Sequence, residues 1–313
     1  MKATLVYNKS AGQSAGLAPE ELLEALEQAG YESVHHPTDN EAELDDILDG
    51  VEGLVVSAGG DGTAKAVATR LINNPDAALT ILPMGTANNL TKTLEIEGGP
   101  LDIIERLEEP RKQNIDLGHV MAPWGEDYFI EGAGLGFFAE VLATYRPDEG
   151  KSVLRSIRSI IEVIDEGYGQ HTTLSLPEEE ATADFLLVEI LNTTAVGPRL
   201  KFAPNAKTDD GLLHVVCIDK ENRSSYFDYL RKLATEEMAA LPSVNVYEVP
   251  ELKIHWHGFP FHIDDYVRPE DFDFRKEDNG VSLRPYPDVP EQATIRVEVI
   301  PHALNLWLPA CAA

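Results

Sequence analysis

The sequence predicts an α/β amino-terminal domain on a doubly wound, mostly parallel sheet, followed by a mostly antiparallel β-sandwich domain. Three observations carry the prediction. Short apolar runs alternate with helical patterns to about residue 110. Three of those runs end in glycine-containing turns, two of which open directly onto helices. Beyond that point the pattern changes to strands with few helices between them.

The elements follow in order. Ala3–Tyr7 is an apolar strand leading into Asn8-Lys9-Ser10-Ala11-Gly12, and a helix is expected over Pro19–Ala29. Ser33–His36 reads as a strand and Glu41–Leu48 as a helix. Gly53-Leu54-Val55-Val56 then breaks into Ser57-Ala58-Gly59-Gly60-Asp61-Gly62-Thr63 before the helix beginning Ala64–Ala68. Ala78–Leu82 repeats the pattern, running into Pro83-Met84-Gly85-Thr86-Ala87-Asn88-Asn89-Leu90. In the second domain, strands are expected at Ile115–Met121, Asp127–Glu131, Thr172–Leu176, Ala183–Asn192, Leu212–Ile218, Val244–Ile254 and Ala293–Ile300. Helices are expected at Val153–Glu166 and Ser225–Ala239, and Arg268–Glu291 reads as an exposed excursion. The domains are thus expected at 1–120, joined by 301–313, and at 121–300.

A buried strand that breaks into glycines and then opens a helix makes a mould for phosphates. Glycine lets the backbone approach an anion, and the first helical N–H groups point at it. Asp61 in that loop suits a metal ion or a ribose hydroxyl; it also suits the cap of a helix starting at Thr63 or Ala64. Successive turns of this kind fall at the carboxyl ends of parallel strands, where open α/β folds bind ligands.

Bulk properties narrow the class. The chain has 313 residues, 43% of them hydrophobic, enough for two cores. Its net charge is −29, from 54 acidic and 25 basic residues, which opposes nucleic-acid binding and docking on an anionic membrane. An acidic solvation surface of the kind halophiles use accounts for such a balance. Cys217 and Cys311 are the only cysteines, and a buried free thiol at Cys217 points to a reducing compartment. No signal segment or membrane span is legible, so the expected location is cytoplasmic. One stretch opposes the global charge: over 151–164, Lys151, Arg155 and Arg158 share a side of an amphipathic helix. It either packs on the second domain or rests peripherally on the inner membrane face. His35, His36, His255, His257 and His262 make no recognised zinc spacing. Trp256 and Trp307 read as packing residues, and Gly132–Gly136 as either the lining of a cleft or tight packing.

The motifs resemble those of the diacylglycerol kinase catalytic-domain family. Asn8–Gly12 is similar to its opening NPxSG, Gly59–Thr63 matches GGDGT, and Pro83–Leu90 resembles P-x-GTxNDxA. Phe202–Leu213 resembles aPxAxxxDGxLxv, and Arg296–Leu304 its closing strand. NAD kinases share GGDGT, but the only Asn-Glu pair here, Asn40-Glu41, precedes the loop.

The resemblance implies a nucleotide cleft between two domains and ATP- and Mg²⁺-dependent phosphorylation of a hydroxyl on a diacylglycerol-like lipid. It implies nucleotide contacts from Asn8, Ser10, Gly59, Gly60, Asp61, Gly62, Thr63, Gly85, Thr86 and Asn88, with metal contacts from Asp61 and Asp210. The family's Asp-Gly-Glu, whose glutamate is the proposed base, aligns with Asp264-Asp265-Tyr266. Asp264 and Asp265, with Asp61, are therefore the catalytic candidates; tyrosine, with a pKa near 10, is a poor base at neutral pH. Asn89 stands where the family often has Asp. The alternative is a catalytically impaired nucleotide-binding protein with a regulatory role. The sequence leaves a homodimer open.

Overall fold

The computed structural model describes residues 1–9, 16–38, 41–85, 88–144, 169–196, 200–270, 275–277, 280–282 and 289–310. They divide into two compact units, Met1–Asp116 with Pro301–Ala313, and Leu117–Ile300.

The first unit is the doubly wound half. Its elements are β1 (Lys2–Asn8), α1 (Pro19–Gln28), β2 (Glu32–Thr38), α2 (Glu43–Leu48), β3 (Gly53–Gly59), α3 (Asp61–Arg70), β4 (Ala77–Pro83), α4 (Asn89–Thr93) and α5 (Pro100–Glu105). β1 pairs in parallel with β2 and with β3, and β3 pairs in parallel with β4. The closing strand adds itself beyond β4 in parallel, with Leu306 opposite Leu79. β3 and β4 are buried nearly throughout, the unbroken apolar pattern that a sheet covered on both faces requires. Pro19 occupies the first helical position of α1, where a missing N–H costs nothing, and Leu22 and Leu26 bury its inner face.

Two strands carry the chain through both units: β5 (Arg111–Ala122) and the last strand, over Thr294–Leu308. The second unit adds β6 (Gly125–Phe129), β7 (Gly132–Gly136), α6 (Phe137–Thr144), β8 (Gln170–Ser175), β9 (Glu180–Leu191), β10 (Leu213–Asp219), α7 (Tyr226–Ala234), β11 (Val244–Val249), β12 (Glu251–His255), β13 (Phe261–Ile263) and β14 (Tyr266–Arg268). Short strands β15 (Arg275–Glu277) and β16 (Gly280–Ser282) form a hairpin before β17 (Thr294–Leu308). Pairing within the unit is antiparallel: β9 bonds β8 along its first half, β7 along its second, and β10 on its other side.

Strand alternation sorts the unit's side chains onto two cores. Val188 and Ile190 of β9, Val215 and Cys217 of β10, and Phe261 and Ile263 of β13 enter one. Leu187 and Leu191, with Val216 and Ile218, enter the other with Phe138 and Val141 of α6. Burial pushes the Cys217 thiol well above its ordinary range, so it is an inert core residue.

The expected strand Val244–Ile254 is two strands, because Pro250 has no N–H to continue the ladder. The helix expected at Ser225–Ala239 is shorter, with Ser225 as its N-cap accepting from Asp228 N at 3.3 Å. Gly132–Gly136 is a buried strand. A Cβ on Gly134 or Gly136 would lie 2.2 Å from Val188 O or 2.4 Å from Leu186 O, so close packing accounts for these glycines. The helix expected at Val153–Glu166, the 151–164 basic face and Cys311 lie outside the described residues.

Candidate functional site

In the first unit the two glycine turns lock together. β3 ends at Gly59, Gly60 caps α3 in an extended conformation, and the helix begins at Asp61. A Cβ on Gly59 would lie 2.6 Å from the Thr63 side chain. Asn8, at the end of β1, donates from Nδ2 to Thr63 Oγ1 at 3.1 Å, so adjacent parallel strands meet over the helix start. Met84 N donates to Gly59 O at 2.9 Å. Asn88 adopts the left-handed conformation (φ 48°), and its side chain clasps Gly85: Oδ1 accepts from Gly85 N at 2.9 Å, and Nδ2 donates to Gly85 O at 2.7 Å.

Asp61 does not take the alternative role of a helix cap. Because α3 starts at Asp61 itself, its carboxylate is not the cap of that helix. Oδ1 instead accepts from Leu90 N at 3.0 Å, in the first turn of α4, and ties one glycine turn to the next. Ser10 and Thr86 lie outside the described residues.

The turns leave the first-turn N–H groups of α3 without intrahelical acceptors, the feature that makes a helix start receptive to anions. One residue there was missed by sequence reasoning. Lys65 is buried (5% exposed) one helical turn beyond Asp61, at the spacing that favours an acid followed by a base. Its signal was legible: a lysine among Ala64, Ala66, Val67 and Ala68, all buried.

In the second unit, Asp264 and Asp265 form the turn between β13 and β14, with Ile263 opposite Tyr266. Asp264 is buried and left-handed (φ 52°). Its carboxylate accepts three backbone N–H groups: Ile130 at 3.1 Å to Oδ2, and Glu131 at 2.8 Å and Gly132 at 3.1 Å to Oδ1. Its own N–H donates to Gly132 O at 2.7 Å. The Asp265 and Tyr266 side chains are at the surface, Tyr266 with 43% of its area exposed. Asp210 Oδ1 accepts from Leu212 N at 3.1 Å, which closes the turn at Asp209–Gly211.

Among the described residues no group of three or more His, Cys, Asp or Glu side chains is arranged to hold a metal. A magnesium site here fits one carboxylate completed by phosphate oxygens and water, the usual pattern for that ion at nucleotides. Trp256 is buried and meets Trp124 edge-on at 5.1 Å, in keeping with packing. No helix among the described residues is long and apolar enough to cross a membrane.

Comparison with known proteins gives the same frame. Residues 2–120 match the diacylglycerol kinase catalytic domain, and residues 159–269 the YegS C-terminal NAD kinase beta sandwich-like domain. A diacylglycerol kinase of Staphylococcus epidermidis is 25% identical over 231 residues, 71% of each chain. One of Staphylococcus saprophyticus is 24% identical over 263 residues, 81% of this chain and 84% of its own. A crystal structure of a diacylglycerol kinase from Bacillus anthracis covers 98% of this chain and 96% of its own, at 16% identity and a TM-score of 0.63. A second chain from that organism reaches a TM-score of 0.72 at 16% identity, covering 98% and 95%. The structural matches speak for the two-domain fold, and the sequence matches, over residues 2–120 above all, for likeness to the diacylglycerol kinase catalytic-domain family.

Proposed function

We propose that this chain transfers the γ-phosphoryl group of ATP to a hydroxyl on a diacylglycerol-like lipid. The observation that carries the reading is the closure of the Gly59–Thr63 turn on the Gly85–Asn88 turn, with Gly60 and Gly85 in contact and Asp61 bonded across. Such a surface offers backbone N–H groups to phosphates at a helix start. Asn8, Gly59, Gly60, Gly62, Thr63, Gly85 and Asn88 take the nucleotide-binding role in this reading, and Ser10 and Thr86 extend it. Bound magnesium would neutralise phosphate charge, with Asp61 as its protein ligand and Asp210 as the other candidate. Of the two aspartates of the β13–β14 turn, Asp265 is the candidate base, since Asp264 spends its oxygens on three backbone N–H groups.

The same turn supports a second reading, a nucleotide-binding protein with impaired catalysis. Tyr266 stands at the position of the family's glutamate, and Asp264 is committed to the backbone. Transfer of labelled γ-phosphate to a panel of lipids, beside a separate measurement of ATP binding, tests the two. Lipid phosphorylation that Asp265→Asn abolishes supports the kinase. ATP binding without transfer to any lipid supports the second reading.

A further inference from the structure

His262, Gly134 and Glu189 stand side by side on three neighbouring strands. His262 is opposite Gly134 in the β13–β7 ladder, and Gly134 is opposite Glu189 in the β7–β9 ladder. Strands two apart in a sheet are separated by roughly 9.5 Å, too far for ordinary side chains to meet over a filled middle position. The middle residue is glycine, and a Cβ there would lie 3.2 Å from Glu189 Oε2. Across that gap His262 Nε2 and Glu189 Oε1 approach to 2.8 Å, with both side chains 0% exposed. The contact is an ion pair off the hydrogen-bonding axis, and neither Nε2 nor either carboxylate oxygen has a hydrogen-bond partner in its place.

The other ring nitrogen fixes the proton count. His262 Nδ1 lies 3.1 Å from the carbonyl oxygen of Asp264, which can only accept, so Nδ1 carries a hydrogen. Without a further proton, a carboxylate would face an imidazole lone pair at 2.8 Å inside the protein, an arrangement burial makes costly. Burial raises the Glu189 pKa, with His262 acting against the shift and Asp264 adding to it. Phe138 of α6 closes the site edge-on to the ring at 4.8 Å. Charged groups on the elements packed against β13 include Glu189 of β9, Glu126 and Asp127 of β6, Arg268 of β14 and Glu140 of α6, which accepts from Gln170 Nε2 at 2.9 Å, besides Asp264 itself.

We propose that Glu189 and His262 hold one proton as a buried ion pair across Gly134, and that this couple is the positioning element that holds the Asp264–Asp265 turn. The chain of contacts is continuous. Glu189 holds the ring, the ring holds the Asp264 carbonyl, and the Asp264 carboxylate holds the backbone of 130–132. The couple therefore fixes the main chain of the residue before Asp265, whose side chain is held by the amides of 130–132. Its bearing on catalysis rests on the reading of Asp265 as the base; its bearing on the turn does not.

The test is nitrogen NMR of the full chain labelled at histidine, with amide exchange at Ile130, Glu131 and Gly132. In the wild type both His262 ring nitrogens are expected to carry the shifts of a protonated ring. Glu189→Gln is expected to return the ring to the form protonated at Nδ1 alone and to speed exchange at the three amides about tenfold. A wild-type ring that already shows an unprotonated Nε2, or amides that keep full protection in the variant, overturns the proposal. His262→Gln is read for amide exchange in the same way if Glu189→Gln does not fold, and the wild-type ring needs no variant. With phosphoryl transfer established, Glu189→Gln is expected to lower kcat while the KM for ATP holds; a change confined to that KM overturns the positioning role. A wild type without transfer sinks the kinase reading, while the ring and the amides still decide the couple.

Discussion

Gly85 sits against Gly60 so closely that a Cβ on Gly85 would lie 2.6 Å from the Gly60 Cα. The obstacle is backbone, which cannot rotate aside as a side chain can. The same Cβ would also lie 2.9 Å from Asn88 Oδ1, the atom that accepts from Gly85 N. Gly85→Ala must therefore part the two turns. The expected outcome is a stability loss of about 1–3 kcal/mol and at least a tenfold weaker ATP affinity by calorimetry. Gly50→Ala is the control: its Cβ meets nothing within 4 Å, so strain at its positive φ lowers stability while ATP affinity holds. Unchanged ATP affinity in Gly85→Ala would separate this junction from nucleotide binding.

Asp61 combines two jobs that substitution can pull apart. Its Oδ1 accepts from Leu90 N, and its charge is what a metal or nucleotide would need. Asp61→Ala removes both, with a cost to stability of about 1–2 kcal/mol from the lost acceptor. Asp61→Asn keeps an acceptor and removes the charge, so its melting temperature should stay near wild type while magnesium-dependent transfer falls by a factor of a hundred or more. Full transfer by Asp61→Asn would reduce the residue to an architectural tie.

How far the sequence reaches depends on whether a signal is local. Most of the parallel half was legible because three of its strands are apolar runs closed by glycine-containing turns, and the structure places β1, β3 and β4 over those runs. The partner of Asp61 was not: Leu90 lies 29 residues on, and only the packing of Gly60 on Gly85 brings it near. Asp264 was found by alignment with a motif, yet its three backbone partners come from 130–132, more than 130 residues away. Gly132–Gly136 hid a strand because its alternate glycines remove the side chains that mark one. What they make room for, the contact of His262 with Glu189, depends on the order of β13, β7 and β9. Pairing order is not written in any one segment.

Asp264→Asn tests the committed carboxylate. Asparagine can present Oδ1 to Glu131 N and Gly132 N, but its NH₂ then faces Ile130 N, donor against donor. A loss of about 2 kcal/mol is expected in urea unfolding, with the left-handed turn retained because asparagine tolerates that conformation. A variant as stable as wild type would show that the Ile130 bond adds nothing.

The charge balance carries its own expectation. At a net charge of −29, self-repulsion opposes the compact state, and salt screens it. The melting temperature should rise steadily from about 0.05 M to about 1 M NaCl. A flat profile would mean the acidic residues are spaced widely enough for water alone to screen them.

Acid should loosen the second unit at a cluster of histidines. The rings of His255 and His257 lie 4.6 Å apart, and the His257 pKa is lowered by burial first, then by the charges of His255 and His171. The neighbours leave little relief: His171 is paired with Asp184 at 2.8 Å, and His255 Nε2 donates to Glu291 O at 2.7 Å. A histidine whose folded pKa is depressed is taken up by protons more readily in the unfolded chain. Its contribution to stability is therefore fully present above the ordinary value near 6.5 and is lost as pH falls through the lowered folded value. His257→Gln removes that penalty. Thermal melts at pH 7.5 and pH 5.5 should show the wild type losing more on acidification than the variant. Equal losses would move the acid-sensitive groups elsewhere in the chain.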